Sequence, residues 1–352
     1  MVGLLSMSVL HAENQASKSW IETSASMAQR VKRYLENSLV AGCDSAYVQS
    51  FETPWLLRAS LISYGTRLDT KMHEGKCASL SSKPQVSLEL GISYRDMGIS
   101  YSHQVSSTSD QDFTFSSYSP RWGGEIRWHR STTLNGQVMS DSSYIASLSD
   151  YPFEVVDGDI RQQSFMVNGY YIFNYRHFSY PAAMSGSVRQ VMSCGSPLVC
   201  LSYYHSKVSV LNYELPDYWD DIRGIRINQL AVGGGYAYNW VFGPDGNMLA
   251  HVSVMPMLAL LHFNKVTTRS DSFDIEEDFG FNQTAQQNTS GFGRNTDIRF
   301  TGVVRASFQY TWAEHMVTGI YLLYNRHDIG SSRNLRITSD DWSSNMFIGY
   351  RF

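Results

Sequence analysis

Nowhere in its 352 residues does the chain carry the roughly eighteen uninterrupted apolar residues that a membrane-crossing helix needs. A helical membrane protein is thereby excluded. Charge is also sparse: 17% of the residues are charged, the net charge is −4, and no basic face or run of Lys and Arg appears, so there is no nucleic-acid footprint. The four cysteines, Cys43, Cys77, Cys194 and Cys200, lack CxxC-like spacing and nearby clustered histidines. That argues against a zinc site and leaves isolated thiols or one local Cys194–Cys200 bridge. No Lys-Ser/Thr follows Gly233-Gly234-Gly235 and a strand pattern continues after it, so this is no phosphate loop. It lets a strand bend or another segment pack closely. Nothing in the sequence calls for a metal or a cofactor.

What the chain does have is aromatics, with 22 Tyr, 17 Phe and 8 Trp, and alternation. A transmembrane barrel strand needs only about ten residues, of which every second faces lipid, so a chain of modest hydropathy can still cross a bilayer. Tyr and Trp suit the girdles where such a wall meets the headgroups. Val86, Leu88, Leu90, Ile92 and Tyr94 form one face of a strand whose other face is Ser87, Glu89, Gly91, Ser93 and Arg95. Ile298, Phe300, Gly302, Val304, Ala306, Phe308, Tyr310 and Trp312 continue the pattern for longer than a sandwich strand needs. Leu230, Val232, Tyr236, Tyr238, Trp240 and Phe242 do the same. The last strand carries Met346, Ile348, Tyr350 and the terminal Phe352, and the phased Ile348, Tyr350, Phe352 set resembles the signal that outer-membrane barrels present to their assembly machinery.

Twelve antiparallel strands are expected, near 55–64, 86–95, 97–105, 121–132, 165–177, 182–192, 198–211, 225–242, 248–264, 297–312, 315–326 and 342–352. With both ends of the barrel in the periplasm, tight turns at Asp96, at 243–247 and at Ala313-Glu314 fall on that side, and the long connections 265–296 and 329–341 fall outside. One connection breaks the phase: 133–164 lands on the periplasmic side, and the bend at Tyr180-Pro181 outside. The alternative is fourteen strands, with a further pair near 138–147 and 153–156.

Residues 1–12 resemble the end of a secretory signal peptide, although no basic stretch precedes them. Residues 13–47 form an N-terminal periplasmic segment whose Trp20, Met27, Val31, Tyr34, Leu35 and Leu39 recur at helical steps, predicting an amphipathic helix. Residues 48–352 form the barrel. The lipoprotein-like sequence ending at Cys43 follows Arg30, Lys32, Arg33 and Glu36 instead of an uncharged apolar stretch, so lipidation is not expected.

Asp44-Ser45-Ala46-Tyr47-Val48 with Leu57-Arg58, then Leu90-Gly91-Ile92-Ser93-Tyr94, Trp122-Gly123-Gly124-Glu125 and the region from Arg189-Gln190 to Gly195-Ser196 together resemble one uncharacterised family. It is a domain-of-unknown-function family of predicted outer-membrane β-barrels of the Bacteroidetes group. The resemblance implies location and architecture and carries no functional residue.

If the apolar faces look outward, Glu89, Arg95, Glu125, Arg127, His129, Arg176, Arg189, Arg299, Arg305 and Arg351 line the lumen. An arginine-rich lumen reads as a wall of ion pairs filling a narrow barrel, or as a water-filled pore favouring anions. Glu125, Arg127 and His129 share one strand face and invite comparison with lipid-hydrolysing barrels, but such enzymes place their site at the bilayer edge facing lipid. No catalytic role is expected. The acidic stretch 270–280 reads as a solvated loop in preference to a calcium site. Two function classes stay open: passage of small solutes, or a plugged barrel that serves as a scaffold for periplasmic or surface partners. In either, the expected partners are outer-membrane lipid and the barrel-assembly machinery, with no nucleic acid.

Overall fold

The computed structural model describes residues 40–72, 76–82, 85–105, 111–131, 134–140, 151–153, 160–210, 222–243, 245–268, 289–290, 299–312, 315–332 and 335–352. The expected helix, between Lys18 and Val40, lies outside them but for its last residue, as do the signal-like residues and the acidic stretch 270–280.

Twelve antiparallel strands close into a barrel. They are β1 (Trp55–Met72), β2 (Gln85–Tyr94), β3 (Met97–Gln104), β4 (Gln111–Tyr118), β5 (Trp122–Ser131), β6 (Ile160–Ile172), β7 (Cys194–Val210), β8 (Ile222–Phe242), β9 (Met248–Thr268), β10 (Phe300–Trp312), β11 (Met316–Ser332) and β12 (Leu335–Arg351). Each pairs with its sequence neighbour, and β12 returns to β1 with Leu335 opposite Met72 and Arg351 opposite Leu56. The backbone of Phe352 then exchanges hydrogen bonds with that of Trp55, so the wall is sealed to the last residue. Closure matters because an unpaired strand edge could not be solvated in lipid.

Two of the expected strands are corrected. Residues 182–192 are no barrel strand: the helix α1 (Tyr180–Met184) and the short strand Val188–Gln190 occupy that stretch. In exchange, β4 is a barrel strand that the sequence reading passed over. Its sequence, QDFTFSSY, sets only Phe113 and Phe115 against polar neighbours, too short an alternation to stand out. The total of twelve survives, and the phase repairs itself. With β4 in place the connection after β5 falls at the loop rim, and the connection between β6 and β7 falls at the rim that carries the two ends of the barrel. The fourteen-strand alternative fails because Leu134–Ser140 and Tyr151–Phe153 form no wall: they stack on Lys76–Ser82, which extends the sheet beyond the loop end of β1.

Alternation orients the wall. Leu57, Leu61, Leu88, Leu90, Ile92, Phe300, Val304, Ile320, Met346 and Ile348 are exposed, while their strand neighbours Ser60, Ser87, Glu89, Val303, Arg305, Val317 and Phe347 are buried. An apolar band this continuous is not left in water. Aromatic rings rim it at both heights. At the terminal rim Trp55 packs on Tyr94 (4.6 Å) and Phe352 (6.4 Å), Trp122 on Tyr171 (4.8 Å) and Tyr238 on Trp240 (4.7 Å). Towards the loops, Phe113 pairs with Trp128, Trp128 with Phe165, and Tyr324 with Trp342. From Trp342 to Phe352 is about ten residues, roughly 33 Å of strand and about 25 Å of height at a tilt near 40°, the span of a bilayer's apolar core.

The triple glycine keeps two strands close. A Cβ on Gly233 would meet the Pro256 carbonyl and Met257, and one on Gly235 the Val254 carbonyl and Met255. Gly235→Ala is expected to cost about 1–3 kcal/mol, read as a lowered urea midpoint of the folded, heat-modifiable gel band. Gly169→Ala, where nothing lies within 4 Å, should leave the midpoint unchanged.

Candidate functional site

The site is the lumen, and it is filled from the terminal rim inward. The connection from Phe173 to Ser193 folds into the barrel as a plug instead of running across its mouth. Ser179 caps α1, its hydroxyl accepting from the Ala182 amide (3.2 Å), and Pro181 suits the first turn. Phe178, Tyr180, Ala182, Ala183 and Met184 are buried. Val188–Gln190 pairs with Val48–Ser50, which ties the chain before β1 to the plug. Around Phe178 and Tyr180 the wall contributes Ile172, Leu198, Cys200, Met255 and Met257, a hydrophobic core inside the barrel.

The plug's polar groups are met by the wall. Asn239 donates to the Ser179 carbonyl (2.8 Å), Gln309 and Ser307 to the Ala183 carbonyl (2.5 and 3.1 Å), Arg58 to Ser185 (2.9 Å) and Arg351 to Gly186 (3.2 Å). The carbonyls at the end of α1 thus find donors that the helix itself cannot supply.

Above the plug, Arg305 of β10 reaches across the lumen to Glu125 of β5 on the nearly opposite wall. Arg305 is fully buried and Glu125 is 7% exposed. Tyr118 and Tyr170 donate to the same carboxylate oxygen (3.0 and 3.1 Å), while Arg305 also donates to the Tyr170 hydroxyl and lies over its ring. Nearer the loops a second bridge spans the lumen: Tyr204 of β7 donates to Asp341 of β12 (3.0 Å) and stacks on His327 (4.0 Å), whose ring meets Gln229 of β8 (3.1 Å). Along one wall Arg127 pairs with buried Asp112 (2.7 Å), with His129 3.4 Å from the same carboxylate.

Of the predicted lumen residues, Glu89, Glu125, Arg127, His129, Arg305 and Arg351 do point inward, and Arg299 is buried just before β10. Arg95, Arg176 and Arg189 are corrected. Arg95 sits in the tight turn after β2 with φ of 52°, Arg176 is exposed in the turn leading into the plug, and Arg189 is on the plug's own strand. Arg95 and Arg176 lie just past the point where their strands end, and Arg189 belongs to the plug and not to a barrel strand. Glu125, Arg127 and His129 share a face as expected, yet Glu125 is bound to Arg305 and the other two to Asp112. The sequence reading missed Arg58, Asp112, Asp341 and the tyrosines 118, 170 and 204. Arg58 was legible, lying between the outward Leu57 and Ala59; Asp112 was lost with β4.

Cys43, Cys194 and Cys200 are free thiols. Cys194 and Cys200 lie on one extended strand, roughly 20 Å apart, so the local bridge fails. Cys43, at the rim, donates to the Tyr175 carbonyl (3.3 Å), and burial pushes its thiol up to about 11. Tyr175 itself, held by Arg176 and Arg121, lies below its ordinary pKa. Among the described residues no cluster of His, Cys, Asp or Glu could hold a metal.

A family model described as a domain of unknown function, DUF4421, matches residues 43–352. The chain belongs to the DUF4421 family. No curated protein matches it. Among solved structures, the DUF4421 barrel is similar to the outer membrane protease OmpT of Escherichia coli (8% identity, 88% of this chain and 100% of that chain covered, TM-score 0.36). It is also similar to the COG4313 outer membrane channel of Pseudomonas putida F1 (8% identity, 88% and 99% covered, TM-score 0.34) and to the outer membrane protein OprG of Pseudomonas aeruginosa (11% identity, 86% and 98% covered, TM-score 0.28). Protease and channel are words for those proteins.

For a buried ion pair, loss of one partner strands the other charge. Arg305→Met and Glu125→Leu are each expected to cost about 3–5 kcal/mol, measured by urea unfolding of the folded gel band. The double variant should recover most of that loss, since no charge is then left unmatched.

Proposed function

We propose that this DUF4421 protein is a sealed, non-enzymatic barrel of the bacterial outer membrane that works as a membrane-embedded scaffold and not as a pore. The observation that carries this reading is the Arg305–Glu125 pair bridging the lumen directly above a plug whose helix is buried. An ion-selective pore needs charged side chains facing water; here the central cation and carboxylate face each other. The scaffold surface at the terminal rim is the plug together with the segment Asp44–Ser50, which would meet periplasmic partners. Ile348, Tyr350 and Phe352 line the outward face of the closing strand, where the assembly machinery would read them, and the outward apolar band is the surface for outer-membrane lipid.

In a planar bilayer the intact protein is expected to give no steady conductance. Replacing residues 178–190 with a short Gly-Ser linker should produce discrete openings. Steady channel currents from the intact protein would overturn the sealed reading.

The non-enzymatic reading is supported by the engagement of Glu125 with Arg305 and of Arg127 and His129 with Asp112, inside the lumen and away from the lipid surface. Fatty-acid release from phospholipid vesicles is expected to stay at background for the wild type and for His129→Ala alike. Turnover by the wild type that His129→Ala abolishes would contradict it.

A further inference from the structure

Beside the sealed centre, between the β1–β5 wall and the plug, lies a cavity of about 150 Å³. A single water needs roughly 10–15 Å³ of such space, so the cavity has room for about ten water-sized groups. Its charges are arranged unevenly. Glu125 is matched by Arg305 and Arg127 by Asp112, but Arg58 and Glu89, which also line it, have no ion-pair partner among the described residues.

Arg58 donates one Nη to the Ser185 carbonyl, lies over the Phe347 ring (4.3 Å), and keeps its Nε buried without a partner. Glu89 is 7% exposed and accepts only from neutral groups: Ser60 (3.2 Å), Ser100 (3.0 Å) and Asn345 (3.2 Å). The Asn345 Oδ1 is a second buried atom with no partner. The two charges are diagonal neighbours on adjacent strands, Arg58 opposite Gly91 and Glu89 opposite Ser60, within reach of each other. The plug carbonyl draws Arg58 away. A half-buried cation beside a buried carboxylate, with no ion pair formed between them, carries a desolvation cost that a bridging ligand would offset.

We propose that this cavity binds a small zwitterion of the α-amino-acid type. Its carboxylate meets the Arg58 guanidinium, its ammonium meets Glu89 and the Asn345 Oδ1, and a short aliphatic side chain lies against Leu56, Ile62 and Phe347. Towards the terminal rim, Leu56 and Ser93 also line a separate small space of about 10 Å³ beside Pro54 and Arg95. The site rests on the sealed lumen, because in an open pore the same charges would be solvated.

The test is isothermal titration of the full-length protein in detergent micelles with L-alanine and L-leucine, each against its matched acid (propionate, 4-methylpentanoate) and matched amine (ethylamine, isoamylamine). Saturable binding of an amino acid is expected, with its acid and amine about tenfold weaker or worse, and with Arg58→Gln and Glu89→Gln each weakening it by about tenfold or more. Ser116→Leu, which fills the cavity and leaves both charges in place, should abolish binding while the folded gel band is retained. No saturable binding, binding no tighter than that of the acid or amine, or wild-type binding by Ser116→Leu would each mean a water-filled cavity only. Absent binding with a silent bilayer defeats this proposal alone; channel currents from the intact protein defeat the sealed reading with it.

Discussion

A guanidinium and a carboxylate from nearly opposite walls meet at the centre of the lumen, and much of the interior is arranged around them. In a medium poor in water an Arg–Glu pair depends on the further partners around it; here they reach the carboxylate and the Nη atoms, while the Arg305 Nε is buried without one. Two tyrosines from β4 and β6 meet the Glu125 oxygen, and the Tyr170 hydroxyl takes a second donor from Arg305. The same Tyr118 and Tyr170 rings pack against Tyr180 of the plug (6.0 and 5.4 Å), so the polar centre and the apolar plug share their side chains. Loosening the pair would therefore loosen the plug.

The plug is held at both ends because it is a connection between consecutive strands, and at its edge by the strand Val48–Ser50. It enters the barrel where β6 and β7 would otherwise be joined by a tight turn. Its residues are small or apolar where they meet the core, as Ala182 and Ala183 show, and its helix end is received by Arg58, Arg351 and Gln309. A barrel of twelve strands stands near the border between filled and open interiors. Here the wall supplies part of the filling and one inter-strand segment the rest.

The wall was legible in the sequence because lipid and lumen impose a period of two on every strand they face. β10 followed that rule along its length, β12 from Met346 to the end apart from the inward Phe347, and β2 over most of its length. The parity of long and short connections was equally informative: its one failure, at 133–164, marked the place where β4 had been passed over and the plug taken for a strand. The interior was less legible. Ala182–Met192 alternates well enough to imitate a strand, because a segment packed inside a barrel meets an apolar neighbour on one side and polar wall groups on the other. Arg305 and Glu125 were both placed in the lumen, but their pairing depends on which walls lie opposite, and that follows only from the complete strand order. The tyrosines carried no signal of their own, since an inward Tyr and a girdle Tyr look alike until the register is known.

The central claim is that the lumen is shut to water at the level of the ion pair, and Cys200 reports on it directly, being fully buried in the core between plug and wall. The measurement is mass-spectrometric quantification of labelling by a small, membrane-impermeant thiol reagent on the folded protein in open bilayer fragments, where both faces are reachable. A sealed barrel predicts that Cys200 stays unlabelled until the protein is unfolded, while half-buried Cys43 at the rim reacts slowly in the folded state. Labelling of Cys200 in the folded protein as fast as in the unfolded chain would contradict the account.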